Sequence, residues 1–174
     1  MNRAYHNKNW TRQGFTIVEL LIVIVIIGIL AAITVVAYNG IQQRAKNTQV
    51  VAGVEAYRKA LMQYASVNSA YPTAGGCLGA NYPSSQCWQG VSGNQFVSGT
   101  LDASLAGFMG SKPTLATSLF SIGIGDNLRA GALFTASPAR IIYYLSGASQ
   151  PCVLSGASGV TEGGIVTQCS LALP

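Results

Sequence analysis

Residues 13–33 read QGFTIVELLIVIVIIGILAAI, and within them a single carboxylate, Glu19, stands near the start of an otherwise uncharged apolar run. From Leu20 to Tyr38 there are 19 residues without a charge. A helix of that length spans roughly 28 Å, about the hydrocarbon thickness of a bilayer. Placing a charge in hydrocarbon is costly or forces the group to neutralise. A plain membrane anchor has no use for Glu19, so that residue has to be explained together with the helix that carries it.

The 174 residues allow one modest domain plus an anchor segment. Apolar residues make up 49% and charged residues 9%, against about a quarter charged in ordinary soluble domains. Outside the apolar block the chain is rich in Gly, Ser, Ala and Thr, which suits a secreted domain with long loops. Arg3, Lys8 and Arg12 precede the block, and cations there favour a cytoplasmic N-terminus with everything after the block translocated. Beyond Tyr38, seven cations face four carboxylates. That surplus is too weak to point to nucleic acid or acidic lipid as the main partner. Cys77, Cys87, Cys152 and Cys169 all lie on the exported side. An oxidising compartment makes them two disulfides, with three pairings open.

A basic head followed by an apolar run also outlines a secretory signal peptide. The run here is longer than the usual h-region of about 7–15 residues, and LAAITVVA makes a poor cleavage site. The stretch GFTIVELLIVIVIIGILAAI instead resembles the class III signal of type IV pilins and pseudopilins: a short basic leader ending in Gly, then Phe, a small or hydroxyl residue, and Glu four residues after the Phe. Gly14, Phe15, Thr16 and Glu19 match that pattern. The resemblance implies that a membrane-embedded prepilin peptidase removes leader residues 1–14 by cutting after Gly14 and methylates the new amine of Phe15. Of 174 residues 160 would remain. Residues 15–39 would stay in place as a transmembrane and filament-core helix. The resemblance also gives Glu19 a role in assembly. Its carboxylate would meet the Phe15 amine of a neighbouring subunit and set the axial register, a buried polar pair giving specificity to a featureless apolar bundle. Within one helix Phe15 and Glu19 also stand one turn apart. The implied partners are other copies of the chain through their N-terminal helices, the peptidase, the membrane, and an assembly platform with motor proteins driven indirectly by an ATPase.

Residues 40–70 continue the helical pattern with a different face. Val50, Val54, Tyr57, Leu61 and Tyr64 recur at 4-3-4-3 spacing, with Arg44, Lys46, Glu55, Arg58 and Lys59 off the stripe. The pattern runs to about Asn68, where Pro72 blocks continuation. Thr16–Asn68 is 53 residues, or roughly 80 Å if continuous. Many bacterial major pilins carry a Pro in the apolar segment. The matching position here is Val36, residues 15–71 contain no Pro, and Gly28 and Gly40 are the only weak points.

Residues 71–174 form the exported region. Residues 71–113 read as loop with short elements, crowded with Gly, Pro, Ser and Asn. RIIYYLSG (140–147), PCVLSG (151–156) and GIVTQCSLAL (164–173) are strand candidates, with GALFTAS (131–137) a weaker one. They suggest an antiparallel meander of about three or four strands carrying the helix stripe on its inner face. The pilin resemblance favours sequence-adjacent disulfides, Cys77 with Cys87 in the loop and Cys152 with Cys169 on the last two strand candidates. A Cys₄ zinc site is disfavoured because no C-x-x-C occurs. The expected fold class is therefore α+β and pilin-like, a long N-terminal helix packed on a small antiparallel sheet with disulfide-stapled loops.

Nothing in the chain reads as catalytic. The sole histidine, His6, lies in the leader, so a processed chain cannot build a Ser-His-Asp or Cys-His site. There is no P-loop and no H-E-x-x-H, and Asp126-Asn127 lacks a calcium-loop signature. Asp102, Asp126 and Glu162 read as solvated carboxylates in polar loops, and Trp88, Tyr143 and Tyr144 as packing residues. No cofactor and no metal are expected. The functional expectation is a structural subunit of a type IV pilus, passing from an inner-membrane precursor to an extracellular filament used in adhesion, twitching motility or DNA uptake. Two alternatives stand beside it, a pseudopilin of a type II secretion or competence system and a single-pass membrane-anchored surface-binding protein.

Overall fold

The computed structural model describes residues 14–90, 93–115, 120–122 and 127–174, with Val36 by its backbone alone. The leader cations Arg3, Lys8 and Arg12, together with His6 and Asp126, lie outside the described residues, as does the side chain at the Val36 position. The chain divides into two compact units, Met1–Gly40 and Ile41–Pro174. Helix α1 (Ile17–Asn68) contributes to both.

In the first unit every large apolar side chain described from Phe15 to Tyr38 is exposed. The helix is long and apolar enough to cross a membrane, and none of its most apolar 18-residue window is buried.

The second unit is built on two antiparallel sheets. The strands are β1 (Gly76–Leu78), β2 (Gln86–Gly90), β3 (Gly93–Phe96), β4 (Phe120–Ser121), β5 (Leu128–Arg129), β6 (Ala132–Ala136), β7 (Ala139–Ser146), β8 (Ala157–Glu162) and β9 (Val166–Ala172), with a short helix α2 (Gly99–Leu105) between β3 and β4. The larger sheet has the order β1-β6-β7-β9-β8 and the smaller β3-β2-β5-β4. The α+β class is as the sequence indicates, but the sheet is wider than three or four strands. Gly76–Leu78, inside the region read as loop, pairs with β6, and β8 pairs with β9.

Alternation along β7 gives the larger sheet its two faces. Ile141, Tyr143 and Leu145 join Val50, Val54, Tyr57 and Leu61 of α1 in one core, together with Phe134, Leu171 and the two buried leucines of α2. Tyr144 points the other way, into a second cluster with Cys77, Tyr82, Cys87, Leu133 and Val166. The helix stripe thus packs where its spacing places it, with Val54 and Leu61 fully buried and Tyr64 half-buried against the core. Gly53 stands on the same side because a Cβ there would approach Leu115 Cδ2 to 2.9 Å. Asn47 fixes the register between α1 and the sheet: Ser146 N donates to its Oδ1 at 2.8 Å, and its Nδ2 donates to Ser146 O at 3.0 Å.

Cys77 is bonded to Cys87 and Cys152 to Cys169, each pair with Cα atoms 5.7 Å apart. One strand expectation fails. Residues 151–156 are irregular, and the strand lies just beyond them in β8. Pro151 has no N–H for a ladder, and Gly156 takes a φ of +84° that breaks the extended path. Cys152 therefore sits in the loop that enters β8, not on a strand. Opposite Cys169 stands Gly159, where a Cβ would approach Cys152 Sγ to 2.6 Å, so only glycine leaves the disulfide room.

Three buried tyrosines tie this unit together. Tyr57 Oη accepts from Gly79 N at 2.9 Å, and Tyr82 Oη donates to Leu78 O at 2.6 Å while accepting from Ala132 N at 3.2 Å. Burial pushes the Tyr57 phenol up to about 12 and the Tyr82 and Tyr144 phenols up as well. The unfolded chain then loses these protons near pH ~10 while the folded chain keeps them, so stability is full below about pH 10 and falls as pH rises. Each buried tyrosine should cost about 1 kcal/mol by pH ~11. Urea midpoints of the full chain in detergent should therefore drop clearly between about pH 9 and 11. Equal midpoints would show that the phenols ionise without unfolding.

Candidate functional site

The residues singled out at the N-terminus lie together at the entrance of α1. Gly14, Phe15 and Thr16 precede the first helical turn, and Phe15 is 83% exposed. Thr16 takes the N-cap position, since its carbonyl accepts the Leu20 N–H at 3.3 Å. Glu19 falls at the third helical position. Its Oε2 accepts from Thr16 N at 2.8 Å and from Thr16 Oγ1 at 2.7 Å, and Glu19 N donates back to Thr16 Oγ1 at 3.2 Å. These contacts form a capping box, in which two backbone donors that a helix start leaves orphaned are satisfied reciprocally. The positive end of the helix dipole also favours a carboxylate in this turn.

Glu19 thus has a local task that the assembly expectation overlooked. The signal was present in the sequence, because Thr16-Ile17-Val18-Glu19 has the T-x-x-E spacing of a capping box ahead of an apolar run. Both oxygens remain exposed with the rest of the side chain, so the group can accept a further donor.

Among the described residues, the other carboxylates are held in ion pairs. Glu162, on β8, pairs with Arg129 Nε at 2.8 Å. Arg129 is 8% exposed, also donates to the carbonyl oxygens of Gln89 and Leu128, and lies 4.8 Å from the Trp88 ring centroid. A buried guanidinium needs such partners, and here it links the smaller sheet to β8. Asp102 lies in α2 and pairs with Lys112. Among the described residues, no group of three or more His, Cys, Asp or Glu side chains is arranged to hold a metal ion.

The prokaryotic N-terminal methylation motif matches residues 11–35. A type II secretion system core protein G of Klebsiella michiganensis is 41% identical over 66 residues, 38% of this chain and 46% of that protein. A type IV major pilin protein of Neisseria gonorrhoeae is 34% identical over 77 residues, 44% of this chain and 47% of that protein. Over this N-terminal stretch the chain is similar to both a type IV pilin and a type II secretion core protein. It spans a little under half the length of these curated relatives, and no solved structure matches it.

The capping box makes a measurable claim. Thr16→Val keeps the shape of the side chain and removes its oxygen, so the first turn of α1 should fray. Amide hydrogen exchange in micelles should speed up several-fold at Glu19 N–H, with residues beyond the second turn unchanged. Equal exchange in the two proteins would mean that the cap holds nothing.

Proposed function

We propose that the chain is a prepilin-type structural subunit that polymerises through its N-terminal helix into a type IV pilus. The observation that carries this reading is the apolar segment itself. The segment is exposed, and an N-terminal methylation motif matches residues 11–35, across its start and most of its length. Lipid can cover such a surface in a precursor, and helices of other copies can cover it in a filament. Cleavage after Gly14 would turn Phe15 into an amine-bearing terminus one residue before the cap. The Glu19 carboxylate, exposed and already oriented by Thr16, would then accept the Phe15 amine of a neighbouring copy. That contact would fix register where only Ile, Val and Leu otherwise meet.

The positive head before the segment supports an N-terminus on the cytoplasmic side and export of the second unit. Partners on this reading are further copies of the chain, the processing peptidase, and an assembly platform with its motor. The absence of histidine after the leader, with every carboxylate described beyond Glu19 held in an ion pair, supports a role without catalysis.

A second reading, a short pseudopilus of a type II secretion system, is favoured by the higher identity to core protein G proteins. The matched stretches of pilin and pseudopilin relatives are of similar extent, so sheared surface fractions viewed by electron microscopy separate the two by fibre length.

In cells with a prepilin peptidase, the purified chain should begin at a methylated Phe15 by mass spectrometry. Glu19→Ala should leave membrane insertion and processing intact and abolish fibres or reduce them at least about tenfold. A chain that still begins at Met1, or normal fibres from the variant, would overturn the proposal.

A further inference from the structure

Where the two sheets of the exported unit part, they leave a cavity of about 210 Å³ lined by Trp88, Gln95, Leu133, Thr135, Ile142, Tyr144 and Gln168. Its construction follows from register. On the smaller sheet, Arg129, Trp88 and Gln95 are successive cross-strand partners, so they share one face. The Arg129 end of that row is filled by Glu162 and Tyr144. The Gln95 end is open, and Gln95 is exposed. On the larger sheet, Leu133 lies opposite Ile142 and Tyr144 opposite Gln168. Leu133 and Ile142 give an apolar floor, the indole gives a wall, and Gln95, Gln168 and Thr135 give a polar rim.

The rim is only partly committed. Gln168 Oε1 accepts from Tyr144 Oη at 3.3 Å, and Thr135 Oγ1 donates to Pro138 O at 3.0 Å. Among the described residues, neither the Gln168 amide nitrogen nor the side-chain amide of Gln95 has a hydrogen-bond partner. No acidic or basic side chain lines the cavity, and the nearby guanidinium of Arg129 is taken up by Glu162 and two carbonyls.

We propose that this cavity binds one pyranose residue of a neutral glycan. A pyranose has an apolar C–H face and a hydroxylated edge. The apolar floor and indole wall suit the first. Amides that both donate and accept, with the Thr135 hydroxyl also on the rim, suit the second. A purely apolar ligand would leave the rim amides desolvated and unpaired. A charged sugar or a phosphate finds no counter-charge in the lining. A nucleic acid strand would present bases to the indole but would need basic side chains for its backbone, and none lines the site. This inference does not rest on filament assembly and can fail without touching it.

Trp10 and Trp88 are the two tryptophans, so in the full chain carrying Trp10→Phe, indole fluorescence reads Trp88 alone. That chain, held in a detergent without a sugar headgroup, is applied to a printed array of neutral glycans and then titrated with the best-bound oligosaccharide. The expected result is saturable binding with a Kd of about millimolar or tighter and a shift in Trp88 emission. Gln95→Ala and Gln168→Ala should each weaken it about tenfold. Gln150→Ala, on the other side of the unit, should leave it unchanged. No binding to any neutral glycan, full affinity in both rim variants, or tighter binding of a single-stranded oligonucleotide than of any glycan would each overturn the proposal.

Discussion

A carboxylate at the mouth of an apolar helix must be held by something, and in this chain Thr16 holds it. The Thr16 amide and hydroxyl both donate to one oxygen of Glu19, and the Glu19 amide returns a bond to the hydroxyl. The residues that look most out of place in a membrane helix are therefore the ones that start it. Without the cap, the first turn would leave donors unsatisfied at the edge of hydrocarbon, where water cannot fully replace them. With the cap, the carboxylate is fixed in position yet remains exposed, so a group needed for local structure can still accept a further donor.

The second unit solves a different problem. It is rich in Gly, Ser and Thr and holds few charges, and a few buried polar side chains tie its elements together. Tyr57 and Tyr82 carry hydroxyls into the interior and spend them on backbone groups of the β1 region and β6. Arg129 joins the two sheets through Glu162 and Tyr144. The disulfides close the β1–β2 connection and tie the loop before β8 to β9. Cross-links of this kind stabilise by about 2–4 kcal/mol, chiefly by restricting the unfolded chain. They matter most where the core is thin.

The parts of the fold that were legible in the sequence were those with a period. The 4-3-4-3 stripe of Val50, Val54, Tyr57, Leu61 and Tyr64 marked the face of α1 that packs on the core, and the β-branched and aromatic run of β7 marked the central strand. What was not legible lacked any such pattern. The β8 segment, ASGVTE, has one large apolar residue, Val160, which is 62% exposed. It is a strand because β9 offers it a ladder, a cause that local sequence does not carry. Gly76–Leu78 is a strand for the same reason against β6. The pairing of Arg129 with Glu162 joins residues 33 apart, which no local spacing announces. At the N-terminus the reverse occurred. The T-x-x-E spacing of Thr16 and Glu19 is local and plain, and it marks the cap that starts α1.

The central claim is that the exposed apolar segment of α1 becomes an interface between copies, with Glu19 at its registering end. A photo-reactive side chain at Val18, introduced into the full chain and activated in cells that assemble fibres, tests it most directly. The account predicts covalent species made of two or more copies, mapped by mass spectrometry to the first turn of a neighbouring α1. Fibres that form normally while the label at Val18 joins only lipid, or no partner at all, would contradict it.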